Sequence, residues 1–176
     1  NADIIGMKQG MRNAQDGIGR AQTAEGVLGE VTNMMLRIRE LALQSKSGTY
    51  TDQDRALMDT EVQQLVEQIG QSLGEARFNG VPLFDTAAGG AGLSTMLQVG
   101  SRANDTVEMK TGNLDISVLG ALTVGTVGSA GTALTTVDGF VTNILNVRAG
   151  LGASQSRLES TIDNLSTNVV NLSDAQ

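Results

Sequence analysis

The side chains that could take part in chemistry are mainly carboxylates and hydroxyls. Two acidic pairs are closely spaced, Asp52 with Asp54 and Asp59 with Glu61. Paired carboxylates can act as general acid and base or bind a cation, but neither pair has the glycine of a metal-binding loop. Their place at the start of a predicted helix favours helix capping and a solvated helix face.

Nucleophilic catalysis lacks its usual partners. The chain contains no cysteine and no histidine, so its serines cannot join a histidine-based triad, and no Ser-x-x-Lys motif occurs. The same absences exclude disulfides and zinc sites of the usual ligand type. The glycine-rich runs at 17–19 and 89–92 complete neither a dinucleotide-binding nor a phosphate-binding motif. We therefore predict that the chain is not an enzyme and takes no cofactor or metal.

Composition narrows the classes of partner. The 176 residues include 12 basic and 19 acidic side chains, which gives a net charge of −7 and disfavours nucleic acid and anionic membrane surfaces. Only four residues are aromatic, Tyr50, Phe78, Phe84 and Phe140. No segment approaches the roughly 20 apolar residues that span a bilayer. Such a chain is expected to act by packing against other proteins.

Residues 1–46 carry apolar side chains at helical spacing, and a second stripe of Val27, Met34 and Leu41 runs beside the first. A double stripe indicates contact with more than one neighbouring helix. Six glycines each cost about 1 kcal/mol relative to alanine, so packing must offset them unless some mark breaks. After a turn at 47–50, Thr51 and Asp54 form a capping-box pattern that predicts a second, antiparallel helix.

The spacing of the apolar residues changes from helical to strand-like alternation after residue 77. An Asn79–Gly80 turn lies between apolar flanks, and residues 96–99 and 106–110 are strand candidates. Leu114, Ile116 and Val118 alternate in the same way. We predict a β-hairpin patch over 78–119 in the same domain as a helical core of 1–77 and 132–176. The small-residue segment 120–131 is predicted to be a linker.

Residues 132–176 give the clearest helical signal. One heptad position is apolar throughout, and we predict that it is a helix-packing seam formed by Val137, Ile144, Leu151, Leu158, Leu165 and Leu172. The partner position holds polar Arg148 and Gln155, which either fix the register or extend outward. The pattern is still running at Gln176 and already in phase at Ile4, so we expect both ends to continue in longer helices.

Four segments carry a resemblance to a known family. The run NVRAGLGASQSRLESTIDNL (146–165) resembles the C-terminal helix of bacterial flagellins, and LRIRELALQS (36–45) and FNGVPLFD (78–85) resemble segments of their N-terminal half. LQVGSRANDTVEM (97–109) resembles the hairpin that follows. The four occur in the family's order and span most of the chain. The resemblance implies a mainly α fold: an elongated antiparallel bundle of two N-terminal helices and one C-terminal helix, with a small β-hairpin region.

The resemblance also implies a function. Flagellins are secreted structural subunits that self-assemble into the bacterial flagellar filament for motility, with an export chaperone for the full-length protein. The 120–131 linker would stand where many flagellins carry a variable outer domain. Without the terminal helices of the family, this chain should remain monomeric or weakly associated. The resemblance further implies recognition by Toll-like receptor five, with Arg37, Leu41 and Glu61 as receptor-contact residues.

Alternatives remain at this stage. From the residues alone, Arg37 fits a solvated arginine and Leu41 a core leucine of the second stripe. A hook–filament junction protein shares the architecture, although the RAGLGA run favours a flagellin. A cell-surface homologue that acts as an adhesin or polysaccharide-binding protein is disfavoured by the few aromatics and the charge of −7. An enzyme on an elongated scaffold is the weakest alternative.

Overall fold

Three long helices form an elongated antiparallel bundle. A computed structural model describes residues 2–174, with α1 at Ala2–Lys46, α2 at Asp52–Glu75 and α3 at Val127–Asp174. Ion pairs show that α3 runs against α1, since Arg39 meets Asp138 while Glu25, earlier in α1, meets Arg148. The predicted mainly α, three-helix architecture is confirmed.

The glycines do not break α1, which is helical over all 45 of its residues. Several of them allow close approach of the β region. A Cβ on Gly6 would lie 2.7 Å from Ser101 Cβ, and one on Gly10 would overlap the Val99 carbonyl group. The alternative that some of these glycines mark breaks in the helix is therefore wrong, and packing of the β region against α1 offsets part of their cost.

The start of α2 follows the predicted capping box. Thr51 is the N-cap, its hydroxyl accepts from the Asp54 N–H at 3.1 Å, and the Asp54 carboxylate accepts from the Thr51 N–H at 2.9 Å. The two bonds satisfy two backbone donors that a helix start leaves free. The chain therefore reverses tightly after α1.

Two small antiparallel ladders form the β region. Strands β1 (Arg77–Phe78) and β2 (Val81–Pro82) are joined by the Asn79–Gly80 turn, in which both residues have positive φ, 52° and 77°. This confirms the turn that was expected from an Asn-Gly pair.

The longer ladder joins β3 (Leu93–Gln98) and β4 (Thr106–Thr111), with Met96 opposite Glu108. The alternation at Leu114, Ile116 and Val118 suggested a further strand, and that prediction is wrong. Ile116–Leu119 is a short 3₁₀ helix, because the Asp115 side chain caps it by accepting from the Ser117 N–H at 2.9 Å.

Helix α3 begins at Val127, inside the segment that was predicted to be a linker over 120–131. Thr126 and Ser129 exchange reciprocal side-chain to backbone hydrogen bonds, both at 3.0 Å, which cap the first turn. The serine replaces the Glu or Gln of the usual capping box, and the helix then contains Gly128 and Gly131. Because these residue types are not typical of a helix start, the sequence pattern did not predict that α3 begins here.

Candidate interaction surface

Arg37 and Glu61 form the most specific charged pair on the surface of the helical hairpin. Arg37 Nε lies 2.8 Å from Glu61 Oε1, and Nη2 lies 3.3 Å from Oε2, so the pair is bidentate across α1 and α2. Glu40 accepts a further bond from Arg37 at 3.1 Å. The hydrogen bonds from Arg37 to Glu61 and Glu40 raise the pKa of Arg37 above its usual value. The pair remains solvent-exposed, so it presents a fixed, paired charge to a partner.

Leu41 does not share this surface. Its side chain is only 3% exposed and belongs to the main hydrophobic core. Of the three predicted receptor-contact residues, the structure brings Arg37 and Glu61 together and places Leu41 beneath them in the core. The arrangement matches the core leucine that the second stripe allows from the residues alone.

Apolar side chains near the ion pair are exposed instead. Leu36 and Leu43 are 45% and 48% exposed, and their spacing of seven residues places them on one face of α1. Leu57 of α2, one helical turn before Glu61, is 71% exposed. Periodicity alone does not separate these leucines from the buried stripes, so the sequence gives no sign of their exposure. Exposed leucines beside a rigid ion pair are suited to a protein contact.

The turn behind this surface is fixed by Arg55, which is buried. Its Nε donates to the Ser45 carbonyl at 2.8 Å and its Nη2 to the Ser47 carbonyl at 3.0 Å, while Nη1 meets the Asp52 carboxylate at 3.1 Å. These bonds satisfy carbonyls that the end of α1 leaves without helical partners. The one available signal in the sequence was a single basic residue in the acidic first turn of α2.

Asp59, once a candidate for acid–base chemistry, has a structural role. Its Oδ1 accepts from the Thr123 hydroxyl at 2.8 Å and from the Val124 N–H at 2.7 Å. Ser45 Oγ bonds the Val124 carbonyl, and Gln63 donates to the Leu122 carbonyl at 2.8 Å. Together these side chains fasten the segment before α3 to the helical hairpin.

The predicted seam of α3 is used over part of its length. Val137, Ile144, Leu151 and Leu158 are each at most 2% exposed. Leu165 is half-buried and Leu172 is 39% exposed. The seam therefore packs inside the bundle up to Leu158 and becomes progressively accessible beyond it.

The two polar seam residues behave differently. Arg148 Nε lies 2.6 Å from Glu25 Oε1, so it crosses to α1 and fixes the register of the two helices. Gln155 bonds Glu159 of its own helix at 3.3 Å. Arg20, also on α1, is 8% exposed and donates to the Pro82 carbonyl at 2.8 Å, and burial lowers its pKa.

An open groove lies at one end of the bundle. It has a volume of about 670 Å³ and lies where α1, the β3–β4 loop and the end of α3 diverge, and Met7, Asp105 and Leu165 are among its lining residues. Over residues 2–174, no group of three or more acidic side chains is placed to hold a metal ion. No helix in that range is both long and apolar enough to cross a membrane.

The two halves of the chain match two family models. Residues 1–89 match the bacterial flagellin N-terminal helical region, and residues 134–176 match the bacterial flagellin C-terminal helical region. The chain belongs to the bacterial flagellin family. Within this flagellin chain, α1 and α2 come from the N-terminal region and α3 from the C-terminal region, so the bundle joins both.

Relatives and solved structures agree with this assignment. The flagellin chain is 37% identical to a flagellin of Halalkalibacterium halodurans over 99% of its own length, and 35% identical to the flagellar filament 31.3 kDa core protein of Treponema maltophilum over 93%. It spans 64% and 62% of those relatives. The crystal structure of Bacillus cereus flagellin matches with a TM-score of 0.73 and 29% identity, covering 94% of this chain and 95% of that one.

A second solved structure shows the fold alone. A Vibrio parahaemolyticus protein described as flagellar hook-associated matches with a TM-score of 0.80 at 17% identity, covering 98% of this chain and 92% of that one. The rod architecture is therefore shared by a flagellin and by a protein described as hook-associated. The sequence matches, more than the shape, separate a flagellin from a hook-associated protein.

Proposed function

We propose that the chain is the rod of a structural subunit of the bacterial flagellar filament. The observation that supports this most directly is that the N- and C-terminal flagellin regions pack against each other in one bundle. Relatives that span the chain are named flagellar filament core proteins. The role implies self-assembly with other flagellin subunits, export from the cell with a chaperone, and an extracellular place in the filament, all without catalysis.

Deletion of the gene tests the filament role. A strain that lacks the gene should lose filaments in electron micrographs and lose swimming, and the intact gene should restore both. Replacing Leu36 or Leu43 by Glu in the restored gene should reduce filament length. Both side chains are exposed, so they are available for contact with a neighbouring subunit, and the bundle itself does not need them. Normal filaments in the deletion strain would contradict the proposal.

The receptor role is a second part of the proposal. Arg37 and Glu61 form an exposed, bidentate pair on a rigid helical hairpin, and such an arginine is a common anchor of protein interfaces. We propose that Toll-like receptor five binds this pair, with Leu41 acting from the core to hold α1 and α2 together.

Receptor activation tests that role against a matched control. Arg37→Ala should shift the concentration for half-maximal signalling by roughly tenfold or more, which equals about 1.4 kcal/mol. Arg39→Ala removes a comparable exposed ion pair, with Asp138, and should leave the signal unchanged. Circular dichroism should show equal helicity in both variants. Equal signalling by both would exclude the pair as the contact.

A hook-associated role is the alternative, because a protein described as hook-associated shares the rod architecture with a TM-score of 0.80. The two roles differ in where the protein lies. Immunogold labelling along the whole filament supports the subunit, whereas labelling confined to the hook junction supports the alternative.

A further inference from the structure

The turn between β1 and β2 places two reactive groups side by side. Asn79 and Gly80 are both exposed, and no heavy atom lies within 4 Å of the position that a Cβ would take on Gly80. Among residues 2–174, no backbone acceptor outside the β1–β2 ladder binds the Gly80 N–H. We propose that Asn79 is a site of spontaneous deamidation in the folded chain, a modification separate from the filament role.

The reaction needs only water. Hydroxide from water takes the Gly80 N–H proton, and the nitrogen attacks the Asn79 Cγ to form an N–Cγ bond. The Cγ–Nδ2 bond then breaks, and the leaving nitrogen takes a proton from water and departs as ammonia. Water then opens the five-membered succinimide. Cleavage of the N–Cγ bond gives aspartate, and cleavage of the bond from the same nitrogen to the Asn79 backbone carbonyl carbon gives isoaspartate. Nothing is oxidised or reduced.

Ring closure requires rotation about the Asn79 Cα–C bond, so the turn must open briefly. The ladder around it has only two residue pairs, Arg77 with Pro82 and Phe78 with Val81. A two-stranded ladder of this length contributes little stability by itself. Other bonds hold its base, from the Leu83 N–H to the Ala76 carbonyl at 3.0 Å and from Arg20 to Pro82. The turn can therefore open while the bundle remains folded.

Other asparagines of the chain serve as internal controls. Asn143 and Asn146 are also exposed, but they lie within α3 and are followed by Ile144 and Val147. The branched side chain of the residue after each asparagine shields that residue's own backbone nitrogen, and the helix restricts the rotation that ring closure needs. Exposure alone therefore does not predict reaction, and these two sites should stay intact.

The two products differ in their effect on the fold. Aspartate keeps the backbone length and tolerates the left-handed conformation of the turn, so it adds only one negative charge. Isoaspartate adds a methylene group to a two-residue turn and displaces Phe78, whose ring faces Gly19 of α1 at 3.4 Å from the position of a Cβ there. Isoaspartate should therefore loosen the β1–β2 ladder against α1.

Peptide mapping by mass spectrometry of the whole folded chain, aged in neutral buffer, tests the proposal. The peptide that contains Asn79 should gain the mass of an amide-to-acid conversion and divide into two products, while peptides with Asn143 and Asn146 remain unchanged. Gly80→Ala should slow the reaction, because its methyl group shields the nitrogen. Far-UV circular dichroism before and after ageing checks that the bundle stays folded.

Two results would overturn the proposal. In the first, Asn79 stays intact in the folded chain while the same chain in urea deamidates there, which would mean that the turn protects it. In the second, Gly80→Ala reacts as fast as the natural sequence, which would exclude attack by that nitrogen. The Asn79→Asp variant gives the reference elution position for the aspartate product.

Discussion

At the scale of single residues, the buried arginine Arg55 contributes most clearly to the shape of the hairpin. It is 5% exposed, and its three hydrogen bonds go to Ser45, Ser47 and Asp52 at the junction between α1 and α2. A buried guanidinium is costly unless its donors are satisfied. Here it is satisfied mainly by backbone carbonyls, so the junction and the arginine stabilise each other.

Replacing Arg55 by alanine should lower the free energy of unfolding by about 3 kcal/mol, because the Ser45 and Ser47 carbonyls lose charged donors. Urea unfolding followed by circular dichroism measures this. Arg12→Ala is the matched control, since Arg12 is exposed and bonds Gln9 of its own helix. The control should change stability by less than about 0.5 kcal/mol. Similar values for both variants would contradict the role given to Arg55.

The sequence identifies some of these residue roles and hides others for a physical reason. The partnership of Thr51 and Asp54 is local, so spacing alone predicts it. Arg55 bonds backbone carbonyls, and any residue type supplies those, so no pattern marks the partner. Asp59 bonds a segment that is 64 and 65 positions away, a distance that spacing rules do not cover. Burial of Leu41 likewise depends on where α2 packs.

At the scale of elements, the start of α2 should respond to pH. Hydrogen bonds from the Thr51 side chain and then its backbone lower the pKa of Asp54 from its reference value of 3.8. A lowered pKa in the folded state means that the carboxylate stabilises the fold above 3.8, and that this stabilisation is lost as pH falls through the folded value. The cap should therefore hold at neutral pH and weaken only in acid.

In the Asp54→Asn variant, the free energy of unfolding should fall less steeply as the pH drops below 3.8. Thermal unfolding measured across the acid range provides the comparison. Thr51→Ala removes the larger cause of the shift, the side-chain hydrogen bond, and should make the stability less dependent on pH in the same region. The carboxylates of Glu108 and Asp115 also have lowered pKa values, through hydrogen bonds from Ser94 and Ser117, so some acid sensitivity should remain. An unchanged pH profile in both variants would contradict the prediction.

Helix α1 contains glycines of two kinds. Gly6, Gly10 and Gly17 lie where a Cβ would collide with the β region or with Leu158, whereas Gly26 and Gly29 have no heavy atom within 4 Å. The sequence shows the same residue type at all these positions, and periodicity cannot separate them. The difference arises from the end of β3 and the loop that follows it, because Leu97, Val99 and Ser101 reach the first part of α1 at these glycines.

Two alanine substitutions separate the kinds. Gly29→Ala should raise the free energy of unfolding by about 1 kcal/mol, the gain in helix propensity. Gly10→Ala gains the same propensity but forces the Val99 backbone away, so it should lower stability by about 1–2 kcal/mol. Chemical unfolding of both variants gives the comparison. If both substitutions raise the free energy of unfolding, the close contact at Gly10 does not disfavour a side chain there.

At the scale of the whole molecule, the sequence predicts the bundle well because its pattern is long and periodic. The seam of α3 was predicted in full, but the structure buries only its first four members. An apolar heptad position shows that a helix has an apolar stripe, but it does not show how much of that stripe a neighbouring helix covers. The length of the buried seam therefore depends on the geometry of the bundle. The alternation at 114–118 predicted a strand, but Ile116–Leu119 is a 3₁₀ helix, and α3 begins at Val127 within the segment predicted to be a linker. At both places a side-chain cap at the start of the helix decides the structure.

Substitutions at Leu158 and Leu172 test the extent of that coverage, since both leucines occupy the same heptad position. Leu158 is fully buried and packs with Ala14, Val99 and Val107, so Leu158→Ala should lower the free energy of unfolding by about 2–5 kcal/mol. Leu172 is 39% exposed, so Leu172→Ala should cost less than about 0.5 kcal/mol. Urea unfolding of the two variants provides the test. If Leu172→Ala is as destabilising as Leu158→Ala, the seam must be covered along its whole length, and the ends of α1 and α3 must pack more closely than they do here.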